Sequence, residues 1–504
     1  MVRIDTERDI EVLRQAAQIL DAENQRLIAK VTELQRQLLV AKGVSAEELQ
    51  LKLVELTEQL QRRTQALFGD SSERRSRSRD AAPPAPQHGH GPRRQPQLPG
   101  GEKVHTLDTA DQTCPKCGGT LAPWEGQFEE SEEVDVVERH FVITKHKRQK
   151  YRCSCQACVE TALGPLKLIP GGHYSLGFAV EVAVAKYADH LPLERQTVMM
   201  AREGLTVSSQ TLWDQIDALA KVLAPLHERL HARVLAAPVI HADETYWRLM
   251  KGRGEKAASD GKWYVWSVLS ADAVDYRVLG SRGQDSARQV LGGYHGTVVA
   301  DGYGVYGALS RAGPGYRLAG CWAHVRRKFV EAPPSAPSAM ALEMIGELYQ
   351  VEREAAGDDD AARARRAELR STRARETLAR LHAWATEERR HTLPGGGLGK
   401  ALRYMLDLWP ALTVFADDAQ VPIDNNPVER GLRGVVLGRK NHYGSRSKRG
   451  TEVAALFYSL VETCKLVGVD PKAYLREAAL AALRDAREYP LPHAVAAQQP
   501  PSQP

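Results

Sequence analysis

Pro238-Val-Ile-His-Ala-Asp-Glu-Thr-Tyr-Trp247 sets a short apolar run against two adjacent carboxylates, Asp243 and Glu244. The run is bounded and lacks a helical period, which predicts a buried strand that ends at the acids. Strand side chains alternate faces, so Val239, His241 and Asp243 share one side while Ile240, Ala242 and Glu244 share the other. Only one of the two acids can therefore face a given site. Further on, residues 262–269 and 276–279 read as strands about a tight turn containing Asp272. A helical piece follows, and residues 296–302 read as a strand ending at Asp301. Three strands, a helix and another strand predict a mixed α/β sheet with an acid at the end of its first and last members.

A third acid comes late in the chain, in Ile423-Asp-Asn-Asn-Pro-Val-Glu429-Arg-Gly-Leu432. Asn426 as N-cap, Pro427 at the first helical position and Glu429 at the third describe a helix start with a capping-box acid. Glu429 also shares a face with Leu432, Val435 and Val436, which aims it toward the packed sheet. Both roles remain open on spacing alone. If that helix packs beside the strands, Asp243, Asp301 and Glu429 converge. Convergent carboxylates suit hard ions such as Mg²⁺, and a pair of such ions serves phosphoryl displacement. The following run carries Arg439, Lys440, Arg446, Lys448 and Arg449 among Gly and Ser, and suits either a DNA backbone or a solvated loop.

The chain of 504 residues, 43% of them hydrophobic, is long enough for several domains. Its net charge of +5 leaves any polyanion site to local patches. The N-terminus lacks the apolar core of a signal peptide, and no run approaches a membrane span, so a cytoplasmic protein with no membrane partner is expected. Of seven cysteines, five lie between Cys114 and Cys158. Cys114-Pro-Lys-Cys117 and Cys155-Gln-Ala-Cys158 are equally spaced knuckles about a β-rich insert, suited to tetrahedral zinc, with Cys153 able to replace one ligand.

Ile10, Ala17, Asn24, Val31 and Leu38 alternate with Leu13, Leu20, Leu27 and Leu34 in a heptad pattern. This predicts a coiled coil over 8–70, with Asn24 in the seam setting register, either as a dimer zipper or as an intramolecular hairpin. A basic disordered linker spans 71–103, and the zinc module spans 104–170. Helices broken at Gly204 and restarted at Val207-Ser-Ser209, with a Ser cap, over 171–232 resemble a helix-turn-helix. The expected catalytic domain covers 233–440 and contains a charged helical insertion at about 335–395; a helical region at 441–490 and a disordered tail at 491–504 follow.

His241-Ala-Asp-Glu-Thr245, Val299-Ala-Asp-Gly-Tyr303, Cys321-Trp-Ala-His324, Asp424-Asn-Asn-Pro-Val-Glu-Arg430 and Gly438-Arg-Lys-Asn441, in that order, resemble transposases of the insertion sequence 66 family. The likeness runs on to Asp470-Pro-Lys-Ala-Tyr-Leu475 and covers nearly the whole chain. His442-Tyr443 departs from it, standing where apolar aromatics are usual. The resemblance implies a ribonuclease H-like domain with a DDE triad of Asp243, Asp301 and Glu429, binding two Mg²⁺ or Mn²⁺ ions. Glu244, Cys321, His324, Asp424, Asn425, Asn426 and Arg430 are implied as supporting residues. Function is then DNA cleavage at transposon ends and strand transfer into target DNA, by a nucleoid-associated homo-oligomer with small accessory proteins. The alternatives are a non-catalytic zinc-containing DNA-binding protein and a structure-specific nuclease of the same fold.

Overall fold

The computed structural model describes residues 139–152, 159–250, 262–312, 315–357, 359–484 and 489–498, with scattered positions between 104 and 123. The expected coiled coil and linker, and Cys114, Cys153, Cys155 and Cys158, lie outside the described residues. The chain divides into two compact units, residues 68–140 and the remainder. In the smaller unit Cys117 sits in an exposed turn followed by Gly118 at φ +72°. In the larger unit the flanks of the second knuckle, β1 (Lys150–Arg152) and β2 (Val159–Thr161), pair antiparallel.

Three helices then lead to the sheet: α1 (Leu176–Tyr187), α2 (Leu193–Arg202) and α3 (Ser209–Leu235). Gly204, at φ +86°, turns the chain between α2 and α3, and the Ser208 hydroxyl accepts the Thr211 N–H as the expected N-cap. Leu212, Ile216, Leu219, Leu223, Leu226, Leu230 and Val234 form a buried stripe along α3, the three- and four-residue spacing of an amphipathic helix. That stripe belongs to the same hydrophobic core as the sheet residues Ile240, Val268 and Val298. The helical region at 171–232 is thus packed into the core of the sheet.

β3 (Val239–Arg248), β4 (Lys262–Leu269) and β5 (Val274–Leu279) form an antiparallel meander. α4 (Gln284–Leu291) crosses to β6 (Thr297–Ala300), which runs parallel to β3. α5 (Gly304–Arg311) leads to β7 (Arg317–Gly320), parallel to β6, and the strand order is β5-β4-β3-β6-β7. β3 does not end at its acids. It continues through the exposed Tyr246 to the fully buried Trp247, and pairing with β4 runs from His241 to Arg248. Pairing with β6 stops at His241. Asp243 therefore lies on the stretch of β3 whose other edge β6 has left, and Asp301 follows directly on the end of β6.

Alternation along the parallel strands separates two cores. Val298 and Ala300 join the core of α1 and α3, whereas Val299 and Ala319 join a second core beneath the helices that follow. Those helices are α6 (Trp322–Val330), α7 (Ala336–Glu354), α8 (Asp360–Leu369), a π turn at Arg370–Ala374 and α9 (Arg375–His391). α10 (Gly397–Asp407), α11 (Trp409–Leu412) and α12 (Val414–Asp417) complete the group. The insertion expected at about 335–395 is therefore larger, because Leu402, Phe415 and Val421 share its core. Arg370, only 1% exposed, pins it by donating to the carbonyls of Phe415, Asp418 and Val421 and to Glu352.

α13 (Asn426–His442) crosses the expected boundary at 440, and α14 (Lys448–Leu466) and α15 (Pro471–Leu483) close the first core. On α14 the Ser459 and Thr463 hydroxyls accept the N–H groups of Tyr276 and Val274, which covers the edge that β5 would otherwise leave unpaired. The tail also differs from expectation. α16 (Pro492–Ala496) follows the buried Leu491, and the Pro490 carbonyl accepts the Tyr474 hydroxyl.

Asp275 on β5 is fully buried, with His227 at 2.8 Å, His231 at 2.9 Å and Arg277 at 2.9 Å. Burial alone pushes its pKa up, but contacts with His227 and His231 and the charge of Arg277 outweigh it and hold the carboxyl far below its ordinary range. Removing one partner of a buried charge cluster leaves the others uncompensated. Asp275→Asn is expected to cost about 3–5 kcal/mol at pH 7 by urea unfolding. A depressed folded pKa stabilises above the unfolded value near 3.9 and is lost as pH falls below it, so the difference between parent and variant narrows in acid.

Candidate active site

Asp243 lies just past the end of the pairing of β3 with β6, Asp301 follows β6, and the charges of Asp301 and Glu429 both act on Asp243. Asp243 keeps the face it shares with His241, and its Oδ1 accepts the Glu244 N–H at 2.8 Å. Burial, then the charges of Glu244, Asp301 and Glu429, push its pKa up to about 7. Asp301 sits in a turn where its Oδ1 accepts the Tyr303 N–H at 2.9 Å. The Gly302 N–H donates to the Tyr404 hydroxyl at 3.1 Å, and a Cβ at Gly302 would meet the Tyr404 ring at 2.6 Å and Leu408 at 2.7 Å. A side chain there would have to displace Tyr404 and Leu408, so the glycine permits their close approach.

Glu429 does not act as a capping-box acid. The N-cap is Asn425, one residue earlier than the spacing implies, Asn426 and Pro427 open α13, and no side chain caps it. Asn425 is fully buried and otherwise engaged. Its Nδ2 donates to the Ala242 carbonyl at 2.9 Å, its Oδ1 pairs with His241 Nδ1 at 2.9 Å, and its N–H donates to Cys321 Sγ at 3.2 Å. Asp424 accepts the Asn426 N–H at 3.1 Å, the Asn426 amide at 2.7 Å and the Tyr349 hydroxyl at 3.1 Å. Glu429, one turn into α13, has His324 Nδ1 at 3.6 Å and Arg327 Nη2 at 3.8 Å. Cys321, His324 and Glu429 offer ligand atoms that all lie within 4.8 Å of one another. Arg430, next along, is exposed.

Glu244 turns to the other face, where Tyr306 donates its hydroxyl and Arg282 donates at 2.6 Å. Burial raises its pKa despite those partners. Arg282 also stacks 3.9 Å above the Tyr303 ring.

The basic run divides by location. Arg439 donates to the Tyr246 carbonyl and, at 3.3 Å, to Thr245 Oγ1. Arg449 pairs with Asp217 at 2.7 Å and Glu452 at 3.3 Å. These two arginines brace the fold. Lys440, Arg446 and Lys448 are exposed. The loop that carries Arg446 is stitched to β3, since the Ser445 N–H donates to the Arg248 carbonyl at 2.9 Å and Trp247 donates to Ser445 Oγ at 3.1 Å. His442-Tyr443 ends α13, with Tyr443 in the left-handed region at φ 61°.

Sequence reasoning missed His241, Arg282, Arg327 and Tyr349. His241 carried a signal, since it shares a strand face with Asp243. Arg327 lies one turn beyond His324 on α6, but Arg282 and Tyr349 reach the acids only through tertiary contacts.

The model of the Transposase IS66 family matches residues 171–453. A second, the zinc-finger binding domain of transposase IS66, matches residues 111–156. The chain belongs to the IS66 transposase family. The first match spans the whole sheet and all three acids; the second includes Cys114, Cys117, Cys153 and Cys155 and stops before Cys158. The two domains point to DNA binding and a structural zinc. The uncharacterized protein y4jD of Sinorhizobium fredii is 32% identical over 390 residues, covering 74% of this chain and 75% of its own. Protein y4qI of the same organism, also uncharacterized, is 33% identical over 366 residues, covering 69% and 67%. Among the described residues no helix is long and apolar enough to cross a membrane.

With a folded pKa near 7 against an ordinary value near 3.9, Asp243 ionises at a cost to the folded state. That cost is absent below about pH 4, grows between the two values and is complete above pH 7. Asp243→Asn is expected to stabilise the protein at pH 8 without added divalent ions, on the order of 1–2 kcal/mol after allowing for solvent screening, and to be neutral near pH 4. Urea titrations at the two pH values check it.

Proposed function

We propose that the protein is a DNA transposase whose sheet is the core of a ribonuclease H-like domain, with Asp243, Asp301 and Glu429 as its metal-binding acids. The observation that carries this reading is that Asp301 and Glu429, from separate parts of the chain, both lie near enough for their charges to raise the pKa of Asp243. The antiparallel meander followed by two parallel strands supports the domain assignment. The fit to hard divalent ions rests on donor chemistry: three carboxylates offer oxygen ligands, and their mutual repulsion is relieved by a cation. Mg²⁺ or Mn²⁺ bound there would neutralise phosphoryl charge and favour ionisation of the attacking hydroxyl.

The reaction follows in two displacements. Water first attacks the phosphodiester at the element's end and frees a 3′-hydroxyl, which then attacks a target phosphodiester, forming a new P–O bond as the target's P–O3′ bond breaks and its 3′-hydroxyl leaves with a proton. Asn425 fixes the helix that carries Glu429, and the Tyr303 N–H orients Asp301. Glu244 keeps its partners on the opposite face and takes no part in ligation. Exposed Lys440, Arg446 and Lys448 hold the DNA backbone, while Arg439 and Arg449 keep that surface in place. The zinc module and the helices of 171–232 recognise terminal repeats, and the coil at 8–70 pairs protomers so that two ends are held together.

Cleavage and strand-transfer assays in Mg²⁺ test the reading. Asp301→Ala and Asp243→Asn are expected to lose at least roughly 100-fold in both steps, and Glu244→Gln far less. Equal activity of Asp301→Ala and the parent would sink the triad. Cutting without joining would identify a structure-specific nuclease, and DNA binding without cutting a non-catalytic DNA-binding protein.

A further inference from the structure

Cys321, His324 and Glu429 form a donor set that the three-acid reading uses only in part. Cys321 immediately precedes α6 and His324 lies in its first turn, so the Cys-x-x-His spacing brings both side chains to one side of the helix start. Glu429 meets them from the first turn of α13. Sγ, the imidazole nitrogen and the carboxylate oxygen lie within 4.8 Å of one another. The 3.6 Å between His324 Nδ1 and Glu429 Oε1 is long for a hydrogen bond. It is close to the edge, about 3.3 Å, of a tetrahedron built on bonds of about 2.0 Å. Both atoms are buried with no hydrogen-bond partner, an uncommon condition in folded proteins. Cys321 Sγ accepts the Asn425 N–H at 3.2 Å, while burial pushes the pKa of the free thiol up to about 12, so deprotonation there is coupled to metal binding.

We propose that Cys321, His324 and Glu429 bind a thiophilic divalent ion, Zn²⁺ by ligand preference, at a site separate from the cysteine knuckles. One thiolate, one imidazole and one carboxylate are zinc ligands, and three protein ligands leave a fourth position open. Binding releases the Cys321 thiol proton to solvent as the sulfur–metal bond forms. Mg²⁺ prefers the all-oxygen set of Asp243 and Asp301 with Glu429. Glu429 belongs to both sets, so zinc withdraws it from the acids and inhibits the enzyme. The inhibition rests on the reading of Glu429 as a triad ligand; the binding does not.

The test is Co²⁺ titration of the full-length, metal-stripped protein, following sulfur-to-cobalt charge transfer and d–d absorption. The expected result is one more Co²⁺ per chain in the parent than in Cys321→Ser, with a difference spectrum of a single-thiolate site. His324→Gln, at a partly exposed position, is expected to weaken this last equivalent by at least tenfold, and thermal unfolding of each variant verifies that it is folded. Identical stoichiometry and spectra in the parent and both variants would overturn the site and leave a simple His324–Glu429 ion pair. In the Mg²⁺ cleavage assay, zinc is expected to inhibit the parent at least tenfold more strongly than His324→Gln, each relative to its own rate in Mg²⁺ alone. Equal inhibition would overturn the regulatory consequence. Full Mg²⁺-dependent cleavage by Glu429→Gln would sink the three-acid reading alone, because the extra cobalt equivalent would still stand.

Discussion

The site depends on one buried amide. A primary amide taken out of water must find partners for its donors and its acceptor or lose free energy, and Asn425 finds them on β3, at the Ala242 carbonyl and His241. Its own N–H reaches Cys321 at the start of α6. Burial lowers the His241 pKa, which keeps the ring neutral near pH 7. Because the Asn425 oxygen accepts, the His241 Nδ1 must carry the proton. α13 is therefore seated by polar contacts at its N-cap, and Glu429 inherits that placement one turn later. The strand that carries Asp243 and the helix that carries Glu429 cannot shift independently without breaking these bonds.

Adjacent acids in β3 both have their pKa raised by burial, but the pleat gives them different partners. Glu244 enters an apolar layer where Tyr306 and Arg282 satisfy it. The Asp243 pKa is raised first by burial and by the charge of Glu244, with Asp301 and Glu429 adding to it, and its hydrogen bond from the Glu244 N–H does not offset the sum. A fold selected for stability alone would not keep three such groups together. The imbalance is the kind of cost that persists where a ligand relieves it.

Much of this was legible in the sequence. The bounded apolar run of β3, the β-rich run of β4, the acids at Asp243 and Asp301 and the inward face of α13 all follow from local sequence. What escaped was decided by tertiary contacts. Asn425 and Asn426 are equally good caps by residue type, and only the nearby Ala242 carbonyl decides between them. Arg439 and Arg449 look like solvated charges until Tyr246 and Asp217 are brought to them. β7, Arg317-Leu-Ala-Gly320, is four residues with no β-branched side chain and becomes a strand by pairing with β6.

The helical insertion is more than an appendage, because it reaches the turns that carry the acids. Tyr404 of α10 meets the Gly302 N–H beside Asp301, and Tyr349 of α7 donates to Asp424 at the threshold of α13. Trp322, which opens α6, donates to the Leu412 carbonyl in the same helical group. Arg370 in turn locks α7 to the 415–421 segment through three carbonyls. A displacement of these helices would loosen the supports of Asp301 and Glu429, while Asp243 would keep the pairing of β3 with β4 and lose only what Asn425 adds at Ala242 and His241. The geometry of the three acids is therefore built from two sources, a sheet that holds one and a helical group that braces the other two.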